Sequence, residues 1–348
     1  LNKISLLNNF SREFVSNTDL TVNDAMLQLK SIIQCKSYSS KTIYFGTGVG
    51  SAFFADNNTL LNENSKNKMA VRWSDDPYMD DNGLGWDYVE ALKYEKAGVS
   101  VIGKGGDIDN QHAHLLVAPD EEISVAVLSS GGSSLYNAVM AQALLDVALQ
   151  EKGISVEATK AELVETVSKV PGKYAKYEKF FVTNNGVWKI SFPDMKYMHI
   201  EKIGVDNAVN EYYMLTSDGR FVRMESDLSE WADEGYPEDK TMRQDYNQVI
   251  LSFEEDENGK IFIKSDEFTN MNGLGNHISK AFVAQSIEEN PISKDWQTAW
   301  EERSNRSLAV YNHKYSSTIY DSPIGKITMI EEVPGYMFVS SQGFGIPL

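Results

Sequence analysis

Residues 99–132 read VSVIGKGGDIDNQHAHLLVAPDEEISVAVLSSGG, and this stretch decides the fold of the first part of the chain. Its β-branched and apolar runs at 99–102, 114–118 and 123–128 are typical of strands. An acidic Pro-Asp-Glu-Glu sequence separates the last two runs and favours a tight turn. With a further strand expected at 86–92, the pattern predicts an antiparallel meander.

Helices are predicted on both sides of this meander. Ser133 is suited to cap a helix that runs to about Gln150 and ends at Gly153, a residue that accepts the left-handed conformation at a helix end. Apolar residues at spacings of three and four predict an amphipathic helix at 19–35. A shorter helix is expected at 158–168.

The rest of the chain has a different texture. Short segments of alternating polar and apolar residues recur to its end, separated by turn sequences such as Ser217-Asp218-Gly219. We therefore expect an α+β fold, with an antiparallel sheet and flanking helices over 1–153. A β-barrel or β-sandwich module, or two smaller β-rich subdomains, is expected over 154–348.

Composition and charge exclude several classes of protein. The 348 residues are 42% hydrophobic, which suits a globular protein with a sizeable core and excludes disorder as the main state. A net charge of −18 disfavours nucleic acid and anionic membranes as partners. No apolar run approaches the ~20 residues of a transmembrane helix, so no such segment is expected. Cys35 is the only cysteine, which excludes an internal disulfide.

Lys104 is the strongest single candidate for a functional residue. It is the only Lys or Arg between Lys96 and Lys152, and it is flanked by Gly103 and Gly105. Backbone without side chains lets a ligand approach closely, which favours binding of an anionic group here. The alternative is a lysine on an edge strand, with a glycine bulge that protects the edge from aggregation.

Two further patterns are weaker. His112 and His114 lie two residues apart near Asp107 and Asp109 and suggest metal ligands, but no third ligand is fixed, and polar packing is the alternative. Ser65 and Lys68 form the only Ser-x-x-Lys, in a polar stretch that leaves the lysine exposed and therefore a poor base. We treat that match as a coincidence and predict neither a metal nor a cofactor.

Four segments between residues 83 and 150 together resemble a known family. Gly83-Leu84-Gly85-Trp86 is similar to a Gly-Leu-Gly-Trp that opens a core strand there, and Gly103-Lys104-Gly105-Gly106 resembles its third motif, a Lys or His followed by a small residue and Gly. The segments 114–119 and 123–132 are similar to its last two strands before the C-terminal helix. The family is that of the penicillin-recognising serine hydrolases, which includes class C β-lactamases, D-alanyl-D-alanine peptidases and related esterases.

The resemblance implies a mechanism in which a serine attacks a carbonyl carbon while a lysine and a tyrosine move its proton. It assigns Lys104 to positive potential for a substrate carboxylate and for proton movement. It also implies that Gly105 and Gly106 leave room for substrate and that the backbone N–H of Asp107 donates to the oxyanion. Asn110 stands where the family usually has Gly, which would alter the edge that binds substrate.

The nucleophile motif of the family and its Tyr-x-Asn are missing from the positions that the resemblance requires. In the family both lie N-terminal to the matched segments, and Leu1 has no signal-peptide features around it, so we expect a cut end there. The sequence therefore predicts the C-terminal half of a catalytic domain followed by a barrel module. Its expected partners are a small-molecule or peptide substrate and the N-terminal half of the catalytic domain.

The expected function is hydrolysis of peptide, ester or β-lactam-type amide bonds through an acyl-enzyme. The alternative is a catalytically inactive binding or scaffolding protein that has kept the fold. A third hypothesis, an unrelated carbohydrate-binding protein, rests on tryptophans such as Trp86 and Trp296. The family resemblance implies an extracytoplasmic location, secreted or at a bacterial cell surface.

Overall fold

The protein is represented by a computed structural model in two compact units. The structure describes residues 48–54, 56–74, 76, 78, 82–108, 111–184, 186–203, 210–224, 247–271, 275–309, 324–341 and 344–347. The first unit is Leu1–Lys160 with Phe268–Ile278, and the second is Ala161–Glu267 with Ser279–Leu348. The helix predicted at 19–35 lies outside the described residues. None of the described helices is long and apolar enough to cross a membrane.

The first unit contains a three-stranded antiparallel sheet in which the strands follow one another in chain order. Its elements are α1 (Glu63–Met69), α2 (Leu92–Glu95), β1 (Ile102–Ile108), β2 (Gln111–Ala118), β3 (Ile123–Ser130) and α3 (Ser134–Glu151). The strands expected at 114–118 and 123–128 are confirmed. The first strand of the sheet starts later than expected and runs through the whole glycine motif, because its backbone pairs with β2 as far as Gln111.

The prediction of a strand at 86–92 is wrong. Only a single bridge joins Tyr88 to Gly103, and α2 begins at Leu92. The Trp86 side chain is instead buried in a small apolar cluster. Its ring contacts the ring of Phe53 edge-on, with 4.9 Å between the two centroids. The preceding Gly-Leu-Gly turn and this burial interrupt the extended conformation that the sequence pattern suggests.

Helix α3 covers one face of the sheet. Ser133 caps it as predicted, with its hydroxyl accepting from the backbone N–H of Tyr136. Its inner side buries Leu145 and Leu149 against Leu116 of β2, and all three are fully buried. Apolar burial of this kind contributes about 25 cal/mol per Å², so the helix and the sheet stabilise each other.

Most of the second unit is an eight-stranded closed barrel, which confirms the predicted β-barrel over the sandwich. Around the barrel the order is β10-β11-β4-β5-β6-β7-β8-β9. The strands are β4 (Phe180–Val182), β5 (Val187–Ser191), β6 (Met198–Ile203), β7 (Glu211–Leu215), β8 (Phe221–Arg223), β9 (Gln248–Glu255), β10 (Ile261–Met271) and β11 (Gly275–Ile287). Two 3₁₀ turns, Gly172–Tyr177 and Pro193–Met195, lie between strands or before them.

Aromatic side chains fill the barrel core. The Tyr174 ring meets Phe221 edge-on at 5.2 Å between centroids, and the Tyr177 ring stacks on Phe253 at 4.0 Å. Each such pair adds roughly 0.5–1.5 kcal/mol beyond the burial of its area. Tyr174 also donates its hydroxyl to the carbonyl of Gly219, at 3.0 Å, so its one polar group is satisfied.

The prediction of a helix at 158–168 is also wrong. The segment contains no helix. Thr166 forms a bridge with Thr216, and the N–H of Val167 donates to the carbonyl of Leu215 in β7 at 2.8 Å. Val164 and Val170 are buried in apolar clusters of the second unit. β-Branched residues favour an extended backbone, and pairing with β7 satisfies the backbone groups that a helix would have used.

The turn predicted at Ser217-Asp218-Gly219 is confirmed, and an ion-pair network surrounds it. Arg220 bonds the carboxylates of Asp218 and Glu162. Hydrogen bonding from the Arg220 guanidinium is the main cause that lowers the pKa of Asp218 to about 2. Gly219 has a φ of +93°, which only a residue without a side chain adopts easily.

A second, smaller sheet completes the unit. It has four strands in chain order, β12 (Ser307–Ala309), β13 (Ile324–Met329), β14 (Met337–Ser341) and β15 (Phe344–Pro347), preceded by α4 (Lys294–Glu301). Val333 and Phe338 from this region pack on Val187 of the barrel. β13 and β14 are among the alternating segments that the sequence predicts toward the end of the chain.

We predict that Gly103→Ala destabilises the first unit by about 1–3 kcal/mol, the usual cost of overpacking. A Cβ at position 103 would overlap the Tyr88 ring, whereas one at position 106 would meet only the Cβ of Ala113, at 4.0 Å. Urea unfolding of both alanine variants measures the difference. Equal unfolding free energies for Gly103→Ala and Gly106→Ala would contradict the close packing of Tyr88.

Candidate functional site

The outer edge of β1, on the side away from β2, carries a series of backbone polar groups. The N–H of Gly103 donates to the Tyr88 carbonyl at 2.9 Å, and the N–H of Gly105 donates to the Asp87 carboxylate at 2.7 Å. Alternate residues of an antiparallel strand direct their N–H groups to the same edge. The N–H of Asp107 therefore also points to this outer edge.

Lys104 adds a cation to the same edge. Its Nζ lies 2.8 Å from Oδ1 and 3.1 Å from Oδ2 of Asp87, and 2.5 Å from the Gly105 carbonyl oxygen. Both charged side chains are about half exposed, so the pair contributes at most about 1 kcal/mol to stability. Its importance is chemical, because one carboxylate is held by an ammonium group and a backbone N–H together.

The glycines of the motif make room for this arrangement. A Cβ at Gly105 would lie 3.3 Å from the Asp87 carboxylate and 3.6 Å from Nδ1 of His114. A Cβ at Gly106 would contact only Ala113. Gly105 therefore admits the bound carboxylate and Gly106 leaves open space. Asn110, the remaining residue predicted for substrate binding, lies outside the described residues.

His114 lies beneath this edge and is buried, with 8% of its surface exposed. Its Nε2 is 2.8 Å from the hydroxyl oxygen of Tyr88. Burial lowers the pKa of His114 to about 4; Asp87 opposes this shift, while His277 and Lys104 reinforce it. The imidazole is consequently neutral at pH 7 and adds no charge to the site.

His277 comes from a distant part of the sequence. It lies in β11, within Phe268–Ile278, a segment that contains the end of β10 and the start of β11 and is part of the first unit. The Asn276 side-chain amide holds this segment in place by donating a hydrogen bond to the carbonyl of Thr159 at 2.6 Å. The sequence does not predict this contribution, since nothing local to residues 268–278 indicates a site.

His112 has a different partner from His114. Its Nδ1 lies 2.5 Å from Oδ1 of Asp107. The two histidines therefore serve separate polar contacts, and among the described residues no cluster of three or more His, Cys, Asp or Glu side chains is placed to hold a metal ion. Asp109, the other aspartate of the metal pattern in the sequence, lies outside the described residues.

The other serine and lysine pattern of the sequence is not assembled into a site. Lys68 is exposed on α1, while the buried lysine of this helix is Lys66, whose Nζ donates to the Phe54 carbonyl. Sequence reasoning overlooked Asp87 and Tyr88, although both directly follow the Gly-Leu-Gly-Trp segment. Their position directly after this segment is the only feature of the sequence that could have indicated them.

The sequence matches no family model and no curated protein. Among solved structures, SurE with D-Leu is similar at 15% identity and a TM-score of 0.44, and SurE at 13% and 0.43. Each overlap covers 68% of this chain, and the chain spans about half the length of those structures, 49% and 48%. Similarity at these values supports no inference from SurE about the fold or the activity of this protein.

The low pKa of His114 predicts a loss of stability in acid. Between about pH 6.5 and pH 4 the unfolded chain binds a proton at this histidine and the folded chain does not, so the free energy of unfolding falls as the pH is lowered through this window. The full difference is about 3 kcal/mol. Urea unfolding of the wild type and His114→Gln at pH 7 and pH 4.5 isolates this effect from that of the carboxylates. An imidazole NMR titration with a midpoint near 6.5 would contradict the burial.

Proposed function

We propose that the first unit supplies the substrate-binding and oxyanion-binding half of a β-lactamase-like serine hydrolase domain. The reaction would cleave peptide, ester or β-lactam-type amide bonds through an acyl-enzyme. One observation carries the proposal: the Asp87 carboxylate is held at the β1 edge by the Lys104 ammonium group and the Gly105 N–H together. The edge is thus chemically suited to an anionic group of a substrate.

The same edge suits a developing oxyanion. The N–H of Asp107 points outward two residues beyond that of Gly105, and Gly106 carries no side chain to obstruct an approaching carbonyl group. Fixed N–H donors stabilise negative charge in a transition state more than in the ground state, which is the condition for catalysis. Residues 87 and 88 bond the outer edge of β1 at Gly103 and Gly105. A peptide substrate would therefore pair with β1 beyond Gly105, in the way that extended peptides pair with open sheet edges.

The proposed reaction needs a serine outside the motifs matched here. Its hydroxyl oxygen would bond to the carbonyl carbon, its proton would pass to the leaving group, and water would then release the acyl group. Lys104 would bind a substrate carboxylate and favour movement of the proton. The proposal includes an extracytoplasmic location and an N-terminal half of the catalytic domain as partner.

The second candidate is a binding or scaffolding protein with the same fold and no catalysis. It is favoured by the ion pair itself, because Asp87 already neutralises Lys104. Exposure to a fluorescent penicillin followed by intact mass measurement separates the two candidates. An acyl adduct on the complete gene product supports the hydrolase, and its absence on folded protein supports the binding protein.

We predict that Lys104→Ala reduces turnover of nitrocefin or p-nitrophenyl esters by about 10²–10³-fold, as expected for loss of a group that stabilises charge in the transition state. Lys96→Ala removes an equal charge from an exposed site beyond α2 and serves as the matched control. Both variants are assayed in the complete gene product. Full activity of Lys104→Ala would remove the role assigned to that residue.

Asp87→Asn should increase the affinity of the β1 edge for a carboxylate ligand about three- to tenfold, because the internal competitor loses its charge. NMR titration of the 348-residue chain with an N-acetyl amino acid measures the Kd. Asp146→Asn is the control, since Asp146 is paired with another lysine, Lys93, at 2.6 Å. Weaker binding in Asp87→Asn would show that Asp87 positions Lys104 rather than competing with substrate.

A further inference from the structure

We infer that Asp107, His112 and Ser129 form a nucleophilic site on the face of the three-stranded sheet that also carries Leu116, at the end of the strands where β3 leads into α3. In this site Ser129 is acylated by small neutral esters. This activity goes beyond the function proposed for the β1 edge and does not depend on it. It requires no residue outside this chain, and its three side chains come from three neighbouring strands.

The strand register places the three residues in one row. Asp107 of β1 is directly opposite His112 of β2, and His112 is directly opposite Ser129 of β3. Side chains of directly paired residues point to the same face, with Cβ atoms about 4.5–5.5 Å apart. The order carboxylate, imidazole, hydroxyl is therefore built into the pairing of the backbone.

The first contact of the row is formed. Asp107 Oδ1 lies 2.5 Å from His112 Nδ1, and the His112 side chain is 12% exposed. A carboxylate on Nδ1 holds the proton on that nitrogen and leaves Nε2 as the basic atom. It also stabilises the imidazolium that forms when Nε2 accepts a proton. Within the described part of the chain, Nε2 of His112 has no hydrogen-bond partner.

The second contact, between Ser129 and His112, is not formed in this structure. In this structure the Ser129 hydroxyl donates to the Gly131 carbonyl at 3.1 Å. Turning it toward His112 exchanges one hydrogen bond of about 1 kcal/mol for another. Nucleophile and base are commonly farther apart without substrate than in the reacting complex.

The loop after Ser129 supplies donors for the oxyanion. Gly131 and Gly132 have φ angles of +86° and +87° and are exposed, and nothing lies within 4 Å of the position of a Cβ on either residue. In the described structure their N–H groups have no protein acceptor. Ser133 then caps the 18-residue helix α3, whose N-terminal end favours negative charge nearby.

The proposed step is balanced without any further co-reactant except water. The Ser129 oxygen bonds to the ester carbonyl carbon and its proton passes to Nε2 of His112. As the carbon–oxygen bond to the alcohol breaks, that proton moves to the leaving oxygen. Water repeats the sequence and releases the acid, which restores Ser129. A neutral substrate is favoured because Asp107 is half exposed and the chain carries a net charge of −18.

A fluorophosphonate probe tests the site on the 348-residue chain. We expect one adduct, located on Ser129 by peptide mass spectrometry, and none in Ser129→Ala. Ser130→Ala is the matched control, since this neighbouring serine lies on the opposite face, opposite Gln111. No adduct on folded wild type, an adduct at another residue, or equal labelling of Ser129→Ala would each overturn the inference.

The two supporting residues have separate readouts. His112→Gln should slow labelling by at least about 10²-fold through loss of the base. Asp107 is a positioning residue, so Asp107→Asn should slow labelling while Asp107→Glu restores part of the rate. Unchanged labelling in His112→Gln would overturn the assignment of the base. Lys96→Ala, at an exposed position outside both sites, should still label fully. Failure of the β1-edge function is read separately, from turnover of nitrocefin or p-nitrophenyl esters.

Discussion

The close approach of the Tyr88 ring to the backbone of Gly103 is the constraint on which the candidate site depends. With no side chain at position 103, residues 87 and 88 lie along the outer edge of β1 and bond its backbone at 2.9 Å. That contact places the Asp87 carboxylate within ion-pair distance of Lys104 and the Tyr88 hydroxyl within hydrogen-bond distance of His114. A larger residue would separate the two segments and leave both polar groups without these partners.

The same sheet shows how one strand serves two surfaces. The backbone N–H groups of alternate β1 residues point to the open edge, whereas the Asp107 side chain stands on the face with His112. An edge and a face of a strand are perpendicular, so the two sets of groups do not compete for space. His114, which burial keeps neutral at pH 7, adds no charge to either surface.

Local signals predicted the elements whose formation depends on their own residues. Ser133 begins α3 because its hydroxyl satisfies a free N–H of the first turn, and the turn with Gly219 has the positive φ that glycine tolerates. The segments at 86–92 and 158–168 were predicted incorrectly because distant partners decide their conformation. Trp86 is buried against Phe53, and Val167 pairs with β7, neither of which is visible in a local pattern.

The sequence was enough to establish three strands of the antiparallel meander, the α3 helix, the β-rich class of the second module and the isolation of Lys104 between glycines. The choice of a closed barrel over a sandwich came from the tertiary structure. Only the tertiary structure decided that Asp87 is the partner of Lys104, that His277 approaches His114, and that a carboxylate, an imidazole and a hydroxyl share one row. The physical reason is that periodicity fixes which face a side chain takes within its own strand. Register between strands depends on hydrogen bonds and packing among residues far apart in the chain.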